Sequence, residues 1–369
     1  MILDKVTTPN FLVDLDVLEQ NIQKIAKLCE ETGNNLCPMV KTHKCSEIAL
    51  LQKAAGATSF VVGTIDEAEV LADKGIDKIV FPYPIIGESN IRSVLELAKS
   101  VYVTISLDGE EEAKIWSEAL VAADLEMDVL LIIDSGLHRF GVLPEDAGKV
   151  GLAISKYPQL RLQGISTHPG HVYGVSHASE VERVALEEQA ALERAKAVME
   201  AEGFSVTVIA TGSTPTVSLL APKVKGYTFR PGNYVFYDTI QMSLGVVEEK
   251  ECAFSVLATI ISNPRENIFL MDAGSKCLGL DKGAHGNSLI PGYGTVKGHP
   301  ELLIEGLSEE VGKIRAMGPT TLAIGDRIEI IPNHSCASAN MTSHLLGVRK
   351  GHVEKVLEVD ARGGAKLHR

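Results

Sequence analysis

Short apolar runs alternate with helical segments along roughly the first 230 residues of the chain. The first helical segment follows Asp14-Leu15-Asp16, and its apolar residues from Leu18 to Leu28 recur every three or four positions. We predict strands at the runs 36–40, 59–63, 78–82, 101–105, 129–133, 162–166, 205–209 and 226–229. Continuous apolar strands of this kind are typical of a parallel sheet that is covered on both faces.

Eight strand–helix units between about residues 16 and 238 predict a TIM (β/α)8 barrel. An open, doubly wound sheet is the alternative that the same pattern allows. After Asp238 the helical periodicity fades, and strand patterns appear at 254–261, 267–271, 327–331 and 355–359. The chain is therefore predicted to be an α/β protein with a barrel domain over residues 10–240 and a C-terminal all-β domain over residues 241–369.

The composition argues against several classes of partner. Of the 369 residues, 45% are hydrophobic and 22% are charged, and the formal net charge is -13. Such a negative chain does not favour nucleic acid or an anionic membrane as a partner. No apolar run approaches the ~20 residues of a membrane span, and the first residues lack a signal-peptide pattern. The six cysteines follow no framework spacing, so we expect a cytoplasmic protein.

Lys41 follows the first predicted strand, in the segment Pro38-Met39-Val40-Lys41-Thr42-His43-Lys44. In a TIM barrel the functional residues lie at the carboxyl ends of the strands. A lone lysine is usually a solvated surface charge, but this lysine closes a buried strand at the functional end of the barrel. We therefore predict that Lys41 binds a cofactor covalently.

Two further loops at the same end of the barrel carry candidate side chains. Strand five leads into residues 134–141, where Arg139 lies between two glycines and could hold an anionic oxygen. Strand six leads into His168-Pro169-Gly170-His171-Val172-Tyr173, which supplies rings for stacking and groups for acid–base chemistry. A surface ion pair for the arginine and a simply packed loop for the histidines are the alternative interpretations.

The loops after strands seven and eight are rich in glycine and hydroxyl residues. Their sequences are Thr211-Gly212-Ser213-Thr214-Pro215-Thr216 and Arg230-Pro231-Gly232-Asn233-Tyr234. Such loops leave backbone N–H groups free for an anion, and these two loops form the usual phosphate site of a TIM barrel. A lysine together with a phosphate site predicts pyridoxal 5'-phosphate, an aldehyde that a lysine holds as a Schiff base.

His334 and Cys336 are a candidate metal pair in the β domain, within Pro332-Asn333-His334-Ser335-Cys336. In an extended segment, residues two apart point to the same face, so both side chains can reach one ion. Two ligands leave room for water or substrate, which suits a catalytic rather than a structural metal. An imidazole and a thiolate favour zinc or another transition metal over magnesium or calcium. The alternative is a buried histidine beside a buried cysteine.

Taken together, these segments resemble the D-threonine aldolase and D-serine dehydratase family, a branch of the alanine-racemase-like, fold type III pyridoxal phosphate enzymes. The resemblance runs from Thr8-Pro9 to Ala361-Arg362-Gly363 and covers nearly the whole chain. Its most specific motifs are Lys41-Thr42-His43-Lys44, Gly136-Leu137-His138-Arg139, Gly170-His171-Val172-Tyr173, Arg230-Pro231-Gly232, Asp272-Ala273-Gly274-Ser275-Lys276 and Pro332-Asn333-His334-Ser335-Cys336.

The resemblance implies a role for each candidate residue. Lys41 would hold the pyridoxal phosphate, with Arg139 near its phenolic oxygen and His168 near its ring. The residues implied to bind the phosphate are Gly212, Ser213, Thr214, Gly232 and Asn233. His334 and Cys336 would hold the divalent metal, for which zinc and manganese are the candidates. The resemblance also implies a homodimer in which residues 1–9 of each chain join its β domain.

The chain departs from the family pattern at two places. Relatives carry Arg-Pro-His before the lysine segment, where this chain has Cys37-Pro38-Met39. Their Glu-Glu-His-Gly is here Glu309-Glu310-Val311-Gly312. Both changes remove polar groups near the predicted site, so they bear on the substrate rather than on the cofactor.

The resemblance implies a lyase that acts on a small D-3-hydroxy amino acid. In an aldolase route, a base takes the hydroxyl proton and the Cα–Cβ bond breaks; the candidate bases are His171 and metal-bound hydroxide. In a dehydratase route, Lys41 removes the Cα proton and the hydroxyl leaves; His-x-Cys looks more like this type. One alternative is an amino-acid racemase with Tyr293 as its second base, and another is a pyridoxal phosphate carrier without enzymatic activity.

Overall fold

The computed structural model of the protein describes residues 2–282 and 289–363, which form two β-sheets with helices around one of them. The strands of the first half of the chain are β1 Asn10–Asp14, β2 Asn35–Leu36, β3 Phe60–Val61, β4 Lys78–Val80, β5 Tyr102–Leu107, β6 Met127–Ile132, β7 Leu160–Ser166, β8 Val208–Thr211 and β9 Thr228–Phe229. Those of the second half are β10 Phe254–Arg265, β11 Ile268–Met271, β12 Thr295–Val296, β13 Leu302–Leu307, β14 Gly312–Ala316, β15 Arg327–Ile331, β16 His344–Arg349 and β17 His352–Glu358.

Most of the helices lie in the first two thirds of the chain and alternate with its strands. Their bounds are α1 Leu15–Glu31, α2 Ser46–Ala54, α3 Ile65–Asp73, α4 Glu88–Leu97, α5 Glu110–Ala123, α6 Ala147–Ile154, α7 Glu180–Ala201, α8 Thr214–Leu220, α9 Thr239–Ser243, α10 Ser275–Leu278 and α11 Ser335–Ala339. No helix in the described part of the chain is both long enough and apolar enough to cross a bilayer.

Eight parallel strands form the barrel, in the order β2-β9-β8-β7-β6-β5-β4-β3. The two ends of this sheet meet where Met39 forms a parallel bridge with Val61, whose N–H donates to the Pro38 carbonyl at 2.9 Å. The predicted TIM barrel with a C-terminal all-β domain is therefore confirmed, and the open-sheet alternative is wrong.

The first barrel strand is shorter than the sequence predicted. Residues 36–40 were expected as a strand, but β2 ends at Leu36 and a 3-10 turn follows at Val40–Thr42. Pro38 has no N–H to donate to a neighbouring strand, so a regular ladder is interrupted there. Lys41 consequently lies in the turn and not at the last position of the strand.

The second sheet has nine strands, and its central path is β13-β14-β11-β10-β1-β16-β17. Strand β15 pairs with β10, and β12 pairs with β15. The sequence missed β1, which precedes the whole barrel and lies between β10 (antiparallel) and β16 (parallel). Its residues Phe11, Leu12 and Val13 are all buried.

The predicted domain bounds need a correction at the N-terminus. Residues 10–240 were assigned to the barrel and residues 1–9 to the β domain, but the strand that joins the β domain is Asn10–Asp14. Three consecutive buried apolar residues need cover on both faces, which the centre of the second sheet supplies. The chain then enters α1, whose first turn is capped by the Asp14 side chain, an acceptor for the Val17 N–H.

Candidate active site

A cavity of about 770 Å³ opens at the carboxyl ends of the barrel strands, where the β domain meets the barrel. Side chains from both domains line it. All the predicted site residues except His171 are in its wall: Lys41, Arg139, His168, Gly212, Ser213, Thr214, Gly232, Asn233, His334 and Cys336. Residues that are about 290 positions apart in the sequence therefore face one space, and that space lies in a single chain.

Lys41 points into this cavity because of the turn that carries it. Its neighbours Val40 and Thr42 are buried, whereas Lys41 itself is exposed. A side chain at Gly63 would come within 3.3 Å of the Lys41 Cβ, so the glycine leaves room for the lysine stem. Within the described residues the Lys41 amine makes no ion pair, and it is thus available to a ligand.

Lys44, three residues further on, is engaged by the protein. Its Nζ lies 2.9 Å from Oε1 of the fully buried Glu67. The other oxygen of Glu67 accepts a hydrogen bond from the Gly63 N–H at 2.5 Å. Of the two lysines in the motif, Lys44 therefore stabilises the cavity wall through its ion pair with Glu67. Lys41 is the lysine that can bind a cofactor.

The two predicted phosphate loops lie side by side. Thr214 Oγ1 of the first loop accepts a hydrogen bond from the Tyr234 N–H of the second at 3.1 Å. Gly212 has φ +100°, a conformation that favours glycine. At Gly232, a Cβ atom would lie 3.1 Å from the Met39 carbonyl oxygen and from Thr42 Oγ1, so the backbone passes close to the lysine turn.

A buried carboxyl group accepts hydrogen bonds from the first of these loops. Glu188 of α7 accepts hydrogen bonds from the Gly212 N–H, at 2.8 Å, and from the Thr211 hydroxyl. Burial raises the pKa of Glu188 to about 7, although these donors and Arg230 act in the opposite direction. The residue lies in the middle of the long helix α7, and no sequence pattern connects it with the loop.

Several buried polar atoms of the cavity wall lack a partner among the described residues. They are Arg230 Nη1, Ser166 Oγ and Asn233 Oδ1. Arg230 Nη2 donates to the Thr167 carbonyl at 3.0 Å, and burial lowers the pKa of this arginine to about 10. Orphaned polar groups beside a free lysine fit a polar, anionic ligand such as pyridoxal phosphate.

His168 and Arg139 lie on the wall near Lys41. Burial lowers the pKa of His168 well below its usual value, and the positive charges of Lys41, Arg139 and Arg230 lower it further. A neutral imidazole follows, which suits contact with a ring. The Arg139 guanidinium lies over the Phe140 ring, 4.7 Å from its centroid, and Phe140 in turn stacks on Tyr83.

His171 and Tyr293 do not line the cavity. The His171 ring lies against the turn at Gly136, where a Cβ would come within 3.1 Å of its Cε1 atom. Its Nδ1 atom is buried without a partner in the described part of the chain. The base role of His171 therefore stays a prediction that no direct contact with the cavity supports.

The metal pair lies at the start of α11, on the β-domain side of the cavity. The sequence predicted an extended segment, but only His334 is extended; it is the N-cap of α11, and Cys336 is in the first turn. His334 Nδ1 lies 3.1 Å from Asp281 Oδ2, which leaves Nε2 as the nitrogen for a ligand. Cys336 Sγ lies 3.2 Å from Thr42 Oγ1, next to the lysine turn.

His334 and Cys336 each shift the pKa of the other. Burial alone raises the pKa of Cys336, but the neighbouring His334 more than offsets this and lowers it. Burial alone lowers the pKa of His334, but Cys336 and Asp281 raise it well above its usual value. A thiolate beside an imidazole is a donor set for a transition metal. Among the described residues no third His, Cys, Asp or Glu completes the set, so water or substrate would fill the remaining positions.

Asp238 is a site residue that the sequence did not reveal. It is fully buried, lines the cavity, and accepts hydrogen bonds from Asn233 Nδ2 at 2.7 Å and from the Ser335 N–H at 2.9 Å. Burial raises its pKa, and the nearby His334 and these donors act against that effect. One sequence signal could have pointed to Asp238 as a site residue. It lies eight residues after Arg230, and both residues follow the last barrel strand.

Comparison with known proteins covers both domains. The family model "Alanine racemase, N-terminal domain" matches residues 13–239, and the model "Putative serine dehydratase domain" matches residues 253–348. D-threo-3-hydroxyaspartate dehydratase of Delftia sp. (strain HT23) is 30% identical, over 90% of this chain and 91% of that protein. D-serine dehydratase of Dictyostelium discoideum is also 30% identical, over 92% of this chain and 93% of that protein.

Solved structures agree with these matches. The crystal structure of D-threonine aldolase from Filomicrobium marinum has a TM-score of 0.88 and 27% identity, and covers 98% of this chain and 96% of its own. A cysteine-to-alanine mutant of D-threo-3-hydroxyaspartate dehydratase, in the metal-free form, has a TM-score of 0.89 and 27% identity. It covers 97% of this chain and 98% of its own.

Proposed function

Since this chain belongs to the family of enzymes built from an alanine racemase N-terminal domain and a serine dehydratase-type domain, we propose that it is a pyridoxal phosphate-dependent lyase acting on D-3-hydroxy amino acids. Its relatives of this kind include both dehydratases and an aldolase. Within the class, we infer that it is a dehydratase that releases the 3-hydroxyl as water. The observation that carries this inference is the His334–Cys336 pair, which faces Lys41 across one cavity.

The cofactor fits the wall of the cavity. Lys41 lies in the turn Val40–Thr42, and its free amine faces the cavity. Lys41 is the residue that would hold the cofactor. The phosphate would be bound by Gly212, Ser213, Thr214, Gly232 and Asn233, in the two adjoining loops. Arg139 would lie near the phenolic oxygen and His168 near the ring. When bound, pyridoxal phosphate supplies an electron sink for charge that develops at the substrate Cα.

The metal fits the His334–Cys336 pair. The Asp281 carboxylate orients the imidazole, and the thiol is biased toward its ionised form. Zinc or manganese held there would supply a Lewis acid to the substrate's 3-hydroxyl. A metal-free form of one relative has been solved, which agrees with metal binding in the family.

The side chains on the two sides of the cavity would have different roles. On the barrel side, the Lys41 amine would take the proton from Cα. On the β-domain side, His334 and Cys336 would lie next to the 3-hydroxyl that leaves. Neutral His168 would contact the ring of the cofactor, and the orphaned Arg230 Nη1 is a hydrogen-bond donor available to the ligand.

Product analysis tests the proposal. Purified protein is incubated with D-serine, D-threonine and D-threo-3-hydroxyaspartate, with and without EDTA. A dehydratase yields a keto acid and ammonia, and chelation abolishes the reaction. Glycine and an aldehyde from D-threonine would instead identify an aldolase. Racemisation that survives EDTA would favour the racemase alternative, and no turnover of any of the three would contradict the proposed substrate class.

We also propose that the protein works as a cytoplasmic homodimer. Three large apolar side chains are exposed beside the cavity mouth: Phe140 at 38%, Leu280 at 61% and Met341 at 41% of their surface. Their neighbours Arg139, Asp281 and Asn340 line the cavity itself, so a second copy covering this rim would also enclose the site. Sedimentation velocity of the purified protein checks this, because a monomer at micromolar concentration would contradict it.

A further inference from the structure

Asp238 connects the segment after the last barrel strand with the start of α11, 97 positions further along the chain. Its Oδ2 atom accepts hydrogen bonds from Asn233 Nδ2 at 2.7 Å, from the Ser335 N–H at 2.9 Å and from Ser335 Oγ at 3.3 Å. Its Oδ1 atom accepts one from the Gln241 N–H at 3.1 Å, which caps α9. Both carboxylate oxygens are thus used, in a fully buried position.

Ser335 is the residue between the two metal ligands. Because the Asp238 carboxylate accepts a hydrogen bond from the Ser335 N–H, it holds the peptide between His334 and Ser335, one residue before Cys336. The side chain of Ser335 is held as well, since its Oγ receives a hydrogen bond from Asn233 Nδ2 at 2.8 Å. The geometry of the pair therefore depends on the barrel and not only on α11.

Asn233 connects Asp238 and Ser335 to the barrel, because its amide donates hydrogen bonds to both. It lies in the loop after the last barrel strand, which is one of the two proposed phosphate loops. The same amide nitrogen that donates to Asp238 also lies 3.6 Å from Cys336 Sγ. Two hydrogen bonds through Asp238 therefore join the phosphate loop to the segment that carries the metal pair.

We propose that Asp238 is a positioning residue that joins the cofactor phosphate loop to the metal pair, so that metal and pyridoxal phosphate each strengthen the binding of the other. This inference rests on the proposed function, because it needs both groups to bind in this cavity. Linkage requires the two effects to be equal: the factor by which metal lowers the Kd of the cofactor is the factor by which cofactor lowers the Kd of the metal.

The test is a pair of matched substitutions. Asp238→Asn keeps the shape of the side chain but replaces one acceptor with a donor. In either orientation its NH2 group faces an N–H donor, since both oxygens of Asp238 accept. Asp360→Asn is the control, because Asp360 accepts from the Ser46 N–H at 2.8 Å and from Ser46 Oγ at 2.5 Å. It makes the same kind of contact between the two domains, away from the cavity.

Two dissociation constants are measured for each protein. The Kd of Zn²⁺ is obtained by competition with a chromophoric chelator, with and without pyridoxal phosphate. The Kd of pyridoxal phosphate is obtained from the visible absorbance of the lysine-bound cofactor, with Zn²⁺ and with EDTA. Circular dichroism establishes that each variant is folded. If Asp238→Asn does not fold, Ser335→Ala carries the test, because it removes only the Oγ contacts.

We expect Zn²⁺ to bind Asp238→Asn about 10–100-fold more weakly than the wild type. The coupling factor between metal and cofactor, about 5-fold or more in the wild type, should fall toward one. Ser335→Ala should show a smaller change in the same direction, and Asp360→Asn should behave as the wild type. A merely structural role would weaken binding in both aspartate variants and leave the coupling factor unchanged.

Two outcomes would overturn the inference, and they differ in what else they contradict. Wild-type metal affinity and an unchanged coupling factor in Asp238→Asn would contradict this inference alone. A wild-type protein that binds no Zn²⁺ at all would contradict the metal site of the proposed function and, with it, the inference.

Discussion

At the scale of single residues, the motif Lys41-Thr42-His43-Lys44 gives its two lysines opposite tasks. Lys44 has a fully buried carboxylate 2.9 Å away, and Lys41 has no ion-pair partner in the described part of the chain. A buried charge needs a partner, whereas a free amine facing a cavity is available for chemistry. Two predictions follow from this contrast, one for each lysine.

Lys41→Ala should abolish attachment of pyridoxal phosphate and leave the fold intact. The side chain makes no ion pair with a described residue, so its loss exposes no buried charge. The measurement is the visible absorbance of the purified protein after incubation with the cofactor, with the thermal unfolding temperature as control. A lysine-type absorbance band that persists in the variant would contradict the assignment of Lys41.

Lys44→Met should show the reverse behaviour. It leaves Glu67 buried without its cation, which costs about 3–5 kcal/mol of unfolding free energy. Urea unfolding, followed by circular dichroism, measures the loss. The cofactor band should still form in the folded fraction, because Lys41 is untouched. Unchanged stability would mean that the ion pair with Glu67 contributes nothing.

At the scale of elements, the short turn Val40–Thr42 and the start of α2 are held by a buried histidine. His43 Nδ1 accepts a hydrogen bond from the Cys45 N–H at 3.1 Å, and the His43 ring meets Phe236 edge-on. Burial lowers the pKa of His43 to about 4, although Gln52 and the other polar neighbours act against this. The folded protein therefore keeps the ring neutral over a range in which the unfolded chain protonates it.

Stability should consequently fall as the pH falls from about 6.5 to about 4. Above that window both states hold a neutral ring; inside it only the unfolded state binds the proton, at about 1.4 kcal/mol per pH unit. His43→Asn retains an acceptor for the Cys45 N–H and removes the titration. Urea unfolding at pH 7 and pH 5 should show a pH-dependent loss larger by roughly 2 kcal/mol in the wild type than in the variant. Equal losses would contradict the role of His43.

His334 and Cys336 both lie at the start of α11. A single substitution there should remove metal binding and leave cofactor attachment in place. Cys336→Ala removes the thiolate and leaves Lys41 and the phosphate loops in place. We expect the variant to bind no Zn²⁺ in equilibrium dialysis, while pyridoxal phosphate still attaches. Metal content equal to that of the wild type would show that the ligands lie elsewhere.

Hydrophobic patterning predicted the barrel elements because each of them buries a continuous run or a helical face. It missed β1, β12, β13, β14 and β16, since each has only two to six residues and is recognised by its partners rather than by its own pattern. Spacing pointed to His334 and Cys336, which do line one cavity, although the extended segment assumed for them is found only at His334; their metal role stays a prediction. Spacing could not predict Asp238, whose importance depends on a contact with Ser335, 97 positions away in the chain.

At the scale of the whole molecule, the two domains are tied by β1. The chain begins in the second sheet, passes through the whole barrel and then returns to complete the sheet around its own start. Leu12 pairs with Ser255 on one side and with Leu346 on the other. The β domain thus contains both ends of the described chain, and we expect the two domains to unfold together.

Leu12→Ala tests this cooperativity. Leu12 is 3% exposed, so its truncation should cost about 2–5 kcal/mol. Trp116 is the only tryptophan, and it is buried in the barrel with its Nε1 donating to the Ile85 carbonyl. If the domains unfold as one unit, tryptophan fluorescence and circular dichroism will shift to lower urea by the same amount. A shift in circular dichroism without one in fluorescence would show independent domains.

The position of β1 also sets an order of events at the ribosome. Phe11, Leu12 and Val13 leave the exit tunnel before the barrel strands, but their second neighbour, β16, is synthesised more than 300 residues later. At about 5–20 residues per second, this strand waits roughly 20–70 s for that partner. The barrel must therefore assemble with an apolar strand still unpaired beside it. A product that stops before β16 can still pair β1 with β10, but it leaves the other edge of β1 unpaired, which favours aggregation.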